Sequence, residues 1–386
     1  MRIAYCIGSL HNKGGMEKVL ANKVNYFIEN LDYEIHIITE DQKGLPICYE
    51  FNNDVIFHDM AISKLNKKVT KGFTFVENVF KLRKLYNDLF IKIQPDIVIV
   101  CERGYLDFVI PFTKNLIPKI REFHFAKEAV RFHASLMKPL VKKIRHLIRY
   151  KVLFKLFNKY DYLVLLTNRD KKNGDYKTNS VVIPNMMSSG FPERRSSLKR
   201  HHVISVGSMH DKRKAFDVQI KVWKKIIENY PNWILNIYGD GIERGNLQNL
   251  INELNLCNNV ILHGNSNTIQ KHFLESSIFL FTSIAEGLPM VLIEALSYGI
   301  PCVAYDCPTG PSDIITNNED GFVVEQNDSK MLVEKLSLLI KNEKLRETMG
   351  KKAKQNAKRY NTIVVGKQWS KFFDKIINEI INQKIW

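Results

Sequence analysis

Strand-like and helix-like runs alternate from one end of this chain to the other, and that alternation constrains the fold more than any other feature. Short apolar runs rich in Ile and Val stand at residues 3–7, 34–39, 55–58, 96–101, 119–123, 162–166 and 180–183. A second series stands at 203–206, 234–238, 259–263, 278–281, 302–305 and 322–324. Between the runs lie helical patterns such as Val79, Leu82, Leu85, Tyr86, Leu89 and Ile93, spaced by three and four. Such alternation belongs to parallel sheets covered by helices. The 386 residues suit two domains of this kind. The stretch from Pro184 to His202, with Pro, Ser, Gly and clustered Arg and Lys but little periodicity, reads as the connection. The expected organisation is a first domain at 1–185, a linker at 186–200, a second domain at 201–364 and a C-terminal helix at 365–386 packing back on the first domain. The fold class is α/β: two Rossmann-like parallel-sheet domains facing each other across a cleft.

Composition excludes several alternatives. With 45% apolar residues the chain has enough material for ordinary packed cores, which rules out global disorder. Its richest apolar stretch, 278–296, is broken by Glu286, Gly287, Pro289 and Glu294, whereas a membrane span needs about 20 mostly apolar residues. The N-terminal MRIAYCIGSL lacks the architecture of a signal peptide. Cys6, Cys48, Cys101, Cys257, Cys302 and Cys307 form no CxxC pair and no zinc spacing, and read as small core residues in a reducing cytosol.

Chemistry concentrates at 286–294, Glu-Gly-Leu-Pro-Met-Val-Leu-Ile-Glu, just after the run 278–281. With Pro289 at the first helical position, the amides of Met290 and Val291 point out of the helix end, where the dipole favours an anion such as a diphosphate. Glu294, one to two turns in, could accept bonds from two adjacent ribose hydroxyls. Glu286 would reach the hydroxyls of a sugar hanging from the diphosphate. On spacing alone, a helix-entry Glu and a solvated helical Glu fit equally well. Gly14 and Gly15, between the first strand and a helical pattern, either let a ligand approach the backbone or make a tight turn. No GxGxxG follows any strand, which argues against a dinucleotide oxidoreductase.

Four segments in order on this layout carry a resemblance: Gly14-Gly15-Met16-Glu17-Lys18-Val19; Val206-Gly207 through Lys214-Ala215-Phe216-Asp217; Ile237-Tyr238-Gly239-Asp240-Gly241; and Glu286-x7-Glu294. Together they resemble glycosyltransferase family 4, the glycosyl transferases group 1, whose members are retaining enzymes of the GT-B fold. The likeness is strong over the second domain and looser over the first. It implies that Glu286, His124 and Lys214 are catalytic. It also implies that Gly14, Gly15, Arg213, Lys214, Gly264, Gly287, Leu288, Met290, Val291 and Glu294 bind a nucleotide sugar. His124 ends the run 119–123 at the sheet edge where α/β proteins bind ligands, and the resemblance puts a sugar hydroxyl beside it; a strand-end His is otherwise often structural. Ser208 stands where the family has Arg, so Arg213 or Lys212 would have to join Lys214 in neutralising a leaving diphosphate, unless 212–214 is simply an exposed basic turn. The sequence DCPTGPSDII at 306–315 resembles members that use UDP-hexoses or UDP-N-acetylhexosamines. Nothing has the Asp-x-Asp character of a metal-dependent transferase, so no cofactor and no catalytic metal are expected.

The charge balance points to an acceptor. Of 57 Lys and Arg against 40 Asp and Glu, ten basic residues and one acidic residue fall between Lys127 and Tyr160. An apolar face of Leu140, Ile144, Leu147, Ile148, Val152, Leu153, Phe154, Leu156 and Phe157 is bordered there by Lys142, Lys143, Arg145, Arg149, Lys151 and Lys155. Such a helix, placed at 127–160, either lies on an anionic bilayer or packs on the core with a solvated basic rim; basic clustering without a recognition motif is weak evidence for nucleic acid. The expected protein is thus a metal-independent, retaining hexosyltransferase on the cytoplasmic face of the bacterial plasma membrane. It would move a hexose or N-acetylhexosamine from a UDP-sugar to a lipid-linked saccharide in surface polysaccharide, lipopolysaccharide or glycan assembly, with no nucleic-acid partner. The alternatives are a GT-B sugar-nucleotide epimerase and an inactive membrane or nucleic-acid binding module.

Overall fold

A computed structural model of the chain describes residues 1–12, 14–62, 73–101, 105–135, 139–187 and 190–385. The chain divides into two compact units. One comprises Met1–Lys127, His133–Ser188 and Thr362–Trp386; the other comprises Glu128–Phe132 and Ser189–Asn361.

The first unit holds a parallel sheet of β1 (Arg2–Ile7), β2 (Glu34–Thr39), β3 (Ile56–Asp59), β4 (Ile97–Val100), β5 (Lys119–Phe123), β6 (Tyr162–Leu165) and β7 (Asn179–Val182), in the order β3-β2-β1-β4-β5-β6-β7. The second holds β8 (His202–Val206), β9 (Ile234–Tyr238), β10 (Val260–Gly264), β11 (Ile278–Phe281), β12 (Cys302–Asp306) and β13 (Gly321–Glu325), in the order β10-β9-β8-β11-β12-β13. Every expected strand is present, with no end moved by more than one residue. Residue alternation along a strand sends side chains to opposite faces, and β1 shows the consequence. Ile3, Tyr5 and Ile7 join one core with Phe27 and Trp369, while Ala4 and Cys6 join another with Val79, Leu82 and Tyr86.

Seven helices matter to the site and its surroundings: α1 (Gly15–Leu31), α2 (Phe73–Ile93), α3 (Lys127–Ser135), α4 (Leu140–Phe157), α5 (Phe216–Ile227), α6 (Met290–Ser297) and α7 (Thr362–Ile385). The basic stretch expected as a single helix over 127–160 is two helices, α3 and α4. Pro139 is the N-cap residue of α4; its ring fixes φ and it has no N–H to continue a helix from the residues before it. The chain's last helix begins at Thr362 rather than 365 and belongs to the first unit. There Trp369 and Phe373 are fully buried, with rings 6.2 and 5.7 Å from that of Phe27 on α1. Part of the stretch expected as a linker is fastened to the second unit: the Ser196 hydroxyl donates to the Ser276 carbonyl, and the Arg346 guanidinium to that of Leu198. Among the described residues no helix is long and apolar enough to cross a membrane.

Candidate active site

Strand order locates the site. In the second sheet the chain runs outward from β8 to β9 and β10, then returns to add β11 on the other side of β8. Loops leaving the carboxyl ends of β8 and β11 therefore diverge, and such a switch point is where open α/β sheets bind ligands. Lys214 and Glu286 come from those two loops.

After β8 a 3-10 turn, Lys212–Lys214, is capped by Asp211, whose carboxylate accepts from the Arg213 amide. The following Ala215 is left-handed, at φ 48°, and α5 begins at once. The Thr282 hydroxyl lies within bonding distance of the Lys214 and Ala215 carbonyls, at 3.0 and 3.1 Å, and the Ile284 amide donates to the Arg213 carbonyl. The β11 loop thus fixes the β8 loop, and two cations converge on one carboxylate. Lys214 Nζ is 2.6 Å from Glu286 Oε1, and Arg213 Nη1 is 3.3 Å from Glu286 Oε2. Glu286 is buried, and Thr309 donates to its backbone carbonyl at 2.5 Å. Arg213 Nε also lies 3.8 Å from an Asp211 carboxylate oxygen, so two cations meet two carboxylates here, in a partly desolvated place where charge interactions are stronger than in water.

Sequence reasoning placed Pro289 at the first helical position; it is the N-cap of α6, one residue earlier, and its carbonyl accepts from the Leu292 amide. The amides of Met290 and Val291 remain those of the first turn. On α6 the residues Leu292, Ile293, Ala295, Leu296 and Ser297 are buried, whereas Met290, Val291 and Glu294 are half-open. The expected ligand residues are therefore the open face of a helix otherwise sunk in the core. Gly287 and Leu288 are buried in the loop between Glu286 and α6. The Pro-Thr-Gly-Pro turn at 308–311 packs directly on this loop. Gly310 has φ 106°, and a Cβ there would sit 2.3 Å from Pro289 Cδ. Sequence reasoning missed this buttress, although the turn itself was visible. Ser208, in the place of the family Arg, accepts from the His210 amide through its hydroxyl, and the second cation on Glu286 is Arg213.

Gly264 ends β10 and accepts from the Gly239 amide through its carbonyl; no bond joins it to the Glu286 cluster among those described. Gly14, Gly15 and His124 lie in the first unit. Gly14 is the N-cap of α1 and Gly15 its first residue, with the Glu17 carboxyl folded back over Gly14. Burial raises the pKa of Glu17 from its ordinary value. His124 follows β5, its Nε2 3.5 Å from a carboxylate oxygen of Glu122. Burial pushes its imidazole down to about 4, against the pull of Glu122. The ring is thus neutral near pH 7, able to donate through one nitrogen and accept through the other.

Two Rossmann-like parallel sheets, of seven and six strands, are the architecture of the GT-B fold. Residues 191–356 match the family model "Glycosyl transferases group 1", the family that the sequence motifs resemble. An uncharacterized glycosyltransferase of Haemophilus influenzae is 27% identical over 371 residues, covering 95% of this chain and 98% of its own. A Campylobacter jejuni enzyme, N-acetylgalactosamine-N,N'-diacetylbacillosaminyl-diphospho-undecaprenol 4-alpha-N-acetylgalactosaminyltransferase, is 25% identical over 373 residues, covering 95% and 97%. Among solved structures, a mutant of S. aureus TarM, in complex with fondaparinux, alpha-GlcNAc-glycerol and UDP, superposes with a TM-score of 0.73 at 18% identity, covering 96% of this chain and 99% of that one. The chain is a glycosyltransferase related to enzymes of bacterial polysaccharide and lipopolysaccharide biosynthesis.

Proposed function

We propose that this protein is a retaining, metal-independent hexosyltransferase that takes a hexose or N-acetylhexosamine from a UDP-sugar and adds it to a lipid-linked saccharide at the cytoplasmic membrane face. The observation that carries the reading is the Arg213–Glu286–Lys214 cluster at the β8–β11 switch point, beside the open face of α6. UDP in the related TarM structure and the diphospho-undecaprenol named for the Campylobacter relative support the donor and acceptor classes.

The diphosphate lies against the Met290 and Val291 amides and the side chains of Lys214 and Arg213. Glu294 accepts from the ribose hydroxyls, Gly287 and Leu288 line the turn, and Gly264 leaves room at the end of β10 for the nucleoside. Glu286 holds the transferring sugar. As the bond between C1 and the phosphate oxygen breaks, the acceptor oxygen bonds to C1 on the same face, and its proton passes to the departing phosphate. Configuration is retained without a protein nucleophile. The side chains stabilise developing charge and fix geometry.

Replacing Glu286 by Ala should cut transfer by orders of magnitude while UDP still binds; Glu294→Ala should mainly weaken UDP. UDP release from UDP-glucose and UDP-N-acetylglucosamine with membrane-extracted acceptor lipids, paired with calorimetric UDP titration, measures both. Full activity in either variant would remove that residue from the site.

A further inference from the structure

Ala215 joins the Lys212–Lys214 turn to α5 in a left-handed conformation, φ 48° and ψ 45°, which a residue with a Cβ adopts only at a cost. Such strain persists where the surroundings hold it, and it gathers at functional sites. Here the holder is visible. The Thr282 hydroxyl, 3.0 and 3.1 Å from the Lys214 and Ala215 carbonyls, bridges the two peptide planes that flank Ala215. A hydroxyl has one proton to give, and Gln219 in the first turn of α5 decides where it points. The Gln219 side-chain amide donates to Thr282 Oγ1 at 3.0 Å and to Ser205 Oγ on β8 at 2.9 Å, which turns the threonine's own proton toward the carbonyls. Gln219, Thr282 and Ser205 are 1, 1 and 2% exposed. The side-chain carbonyl oxygen of Gln219 is buried with no partner among the described residues. An apolar side chain would fill that place without stranding an acceptor, so stability alone does not account for a glutamine there.

The clamp bears on the active-site cation. Lys214 directly precedes Ala215, and its stem runs along Gly207, where a Cβ would come 3.0 Å from Lys214 Cγ. Thr282 and Glu286 leave β11 on the same loop. The hydroxyl that fixes the Lys214 backbone therefore belongs to the segment whose carboxylate lies 2.6 Å from Lys214 Nζ. We propose that Thr282 and Gln219 are positioning residues for Lys214: Gln219 orients the Thr282 hydroxyl, the hydroxyl clamps the left-handed turn at Ala215, and the turn aims the ammonium at Glu286 and at a departing diphosphate. This deepens the proposed function and rests on its reading of Lys214.

The test is a set of mutant cycles on the full chain, read as UDP release from UDP-N-acetylglucosamine or UDP-glucose, whichever turns over faster, with membrane-extracted acceptor lipids. T282V keeps the shape and removes the hydroxyl. It should lower kcat by roughly tenfold or more, because small misplacements of a positioned group are costly, while calorimetric UDP affinity stays unchanged; T282S should restore kcat. Q219M should also lower kcat, and Q219M/T282V should fall no further than T282V, since the amide acts through the hydroxyl. Glycine takes the left-handed conformation freely, so T282V should cost less than about twofold when made in A215G. It should cost as little when made in K214A, where no ammonium is left to aim. Should T282V fail to fold, Q219M made in the wild type and in K214A completes the same cycle. Full kcat in T282V, multiplied losses in Q219M/T282V, or a T282V loss that is the same with Ala215 or Lys214 replaced would overturn the positioning role. Full turnover by K214A, in contrast, would sink the reading of Lys214 itself, whatever the threonine does.

Discussion

The Glu286 carboxylate is held by two cations and its backbone carbonyl by Thr309, so the side chain is preorganised for the sugar it is proposed to hold. Lys214 is the closer cation, and K214A should lower turnover roughly 10²-fold, as loss of a preorganised charge-stabilising group does; UDP release from the preferred donor measures it, and a loss under threefold would argue against the role. His124 makes a prediction that needs no substrate. Its pKa is lower in the folded chain than in the unfolded one, about 4 against 6.5. Between those values the unfolded chain binds a proton that the folded chain refuses, so stability is full above pH 6.5 and falls as the pH drops toward 4, by at most about 3 kcal/mol. H124Q should flatten that part of the stability curve in urea titrations; a parallel curve would contradict the assigned shift. Both residues of the Glu286–Lys214 pair were legible in the sequence, because their motifs are local. The buried ion pair of Lys23 and Glu122 was not: each belongs to a type that is usually solvated, 99 positions separate them, and only the packing of α1 on the first sheet buries the pair.

The strands were readable because those inside a parallel sheet are apolar on both faces, which leaves a run in the sequence that no surface loop imitates. The entry to α6 was misread by one position, since Pro is compatible with both the N-cap and the first helical residue. More was hidden in α4. Its apolar residues read as one face, but Leu153 and Phe157 are buried whereas Leu140, Val141, Ile144, Leu147, Ile148 and Val152 are exposed. At 100° per residue these six fall on one outward arc, with Lys143 and Arg145 nearest its two edges and the exposed Lys151 and Lys155 within it. An outward apolar arc edged and interrupted by cations fits an anionic bilayer, where each basic residue adds on the order of 1 kcal/mol. A triple variant L140S/I144S/I148S should lose sedimentation with phosphatidylglycerol vesicles while its melting temperature is unchanged, because those positions carry no core contacts. Unchanged sedimentation would leave α4 a helix with a solvated face.

At the scale of the molecule, the last helix returns to the unit where the chain began. Val365, Trp369, Phe373 and Ile376 are buried in the first unit's core. Each buried side chain of that size contributes about 1.5–3 kcal/mol, and a domain's whole stability is about 5–15 kcal/mol. Truncation after Asn361 should therefore abolish the first unit's unfolding transition in calorimetry. The second unit's core cluster draws on residues from Val203 to Met349, and its transition should survive; retention of both transitions would show that α7 is dispensable. UDP-sugar binding is proposed for this second unit. Its most direct test is a thermal-shift panel of UDP, GDP, ADP and their common sugar conjugates on the wild-type chain. At about 100 times its dissociation constant a ligand stabilises by about 2.7 kcal/mol, so UDP and a UDP-hexose or UDP-N-acetylhexosamine should raise the melting temperature by several degrees while the purine nucleotides do not. A shift with a purine nucleotide alone, or with none, would contradict the account.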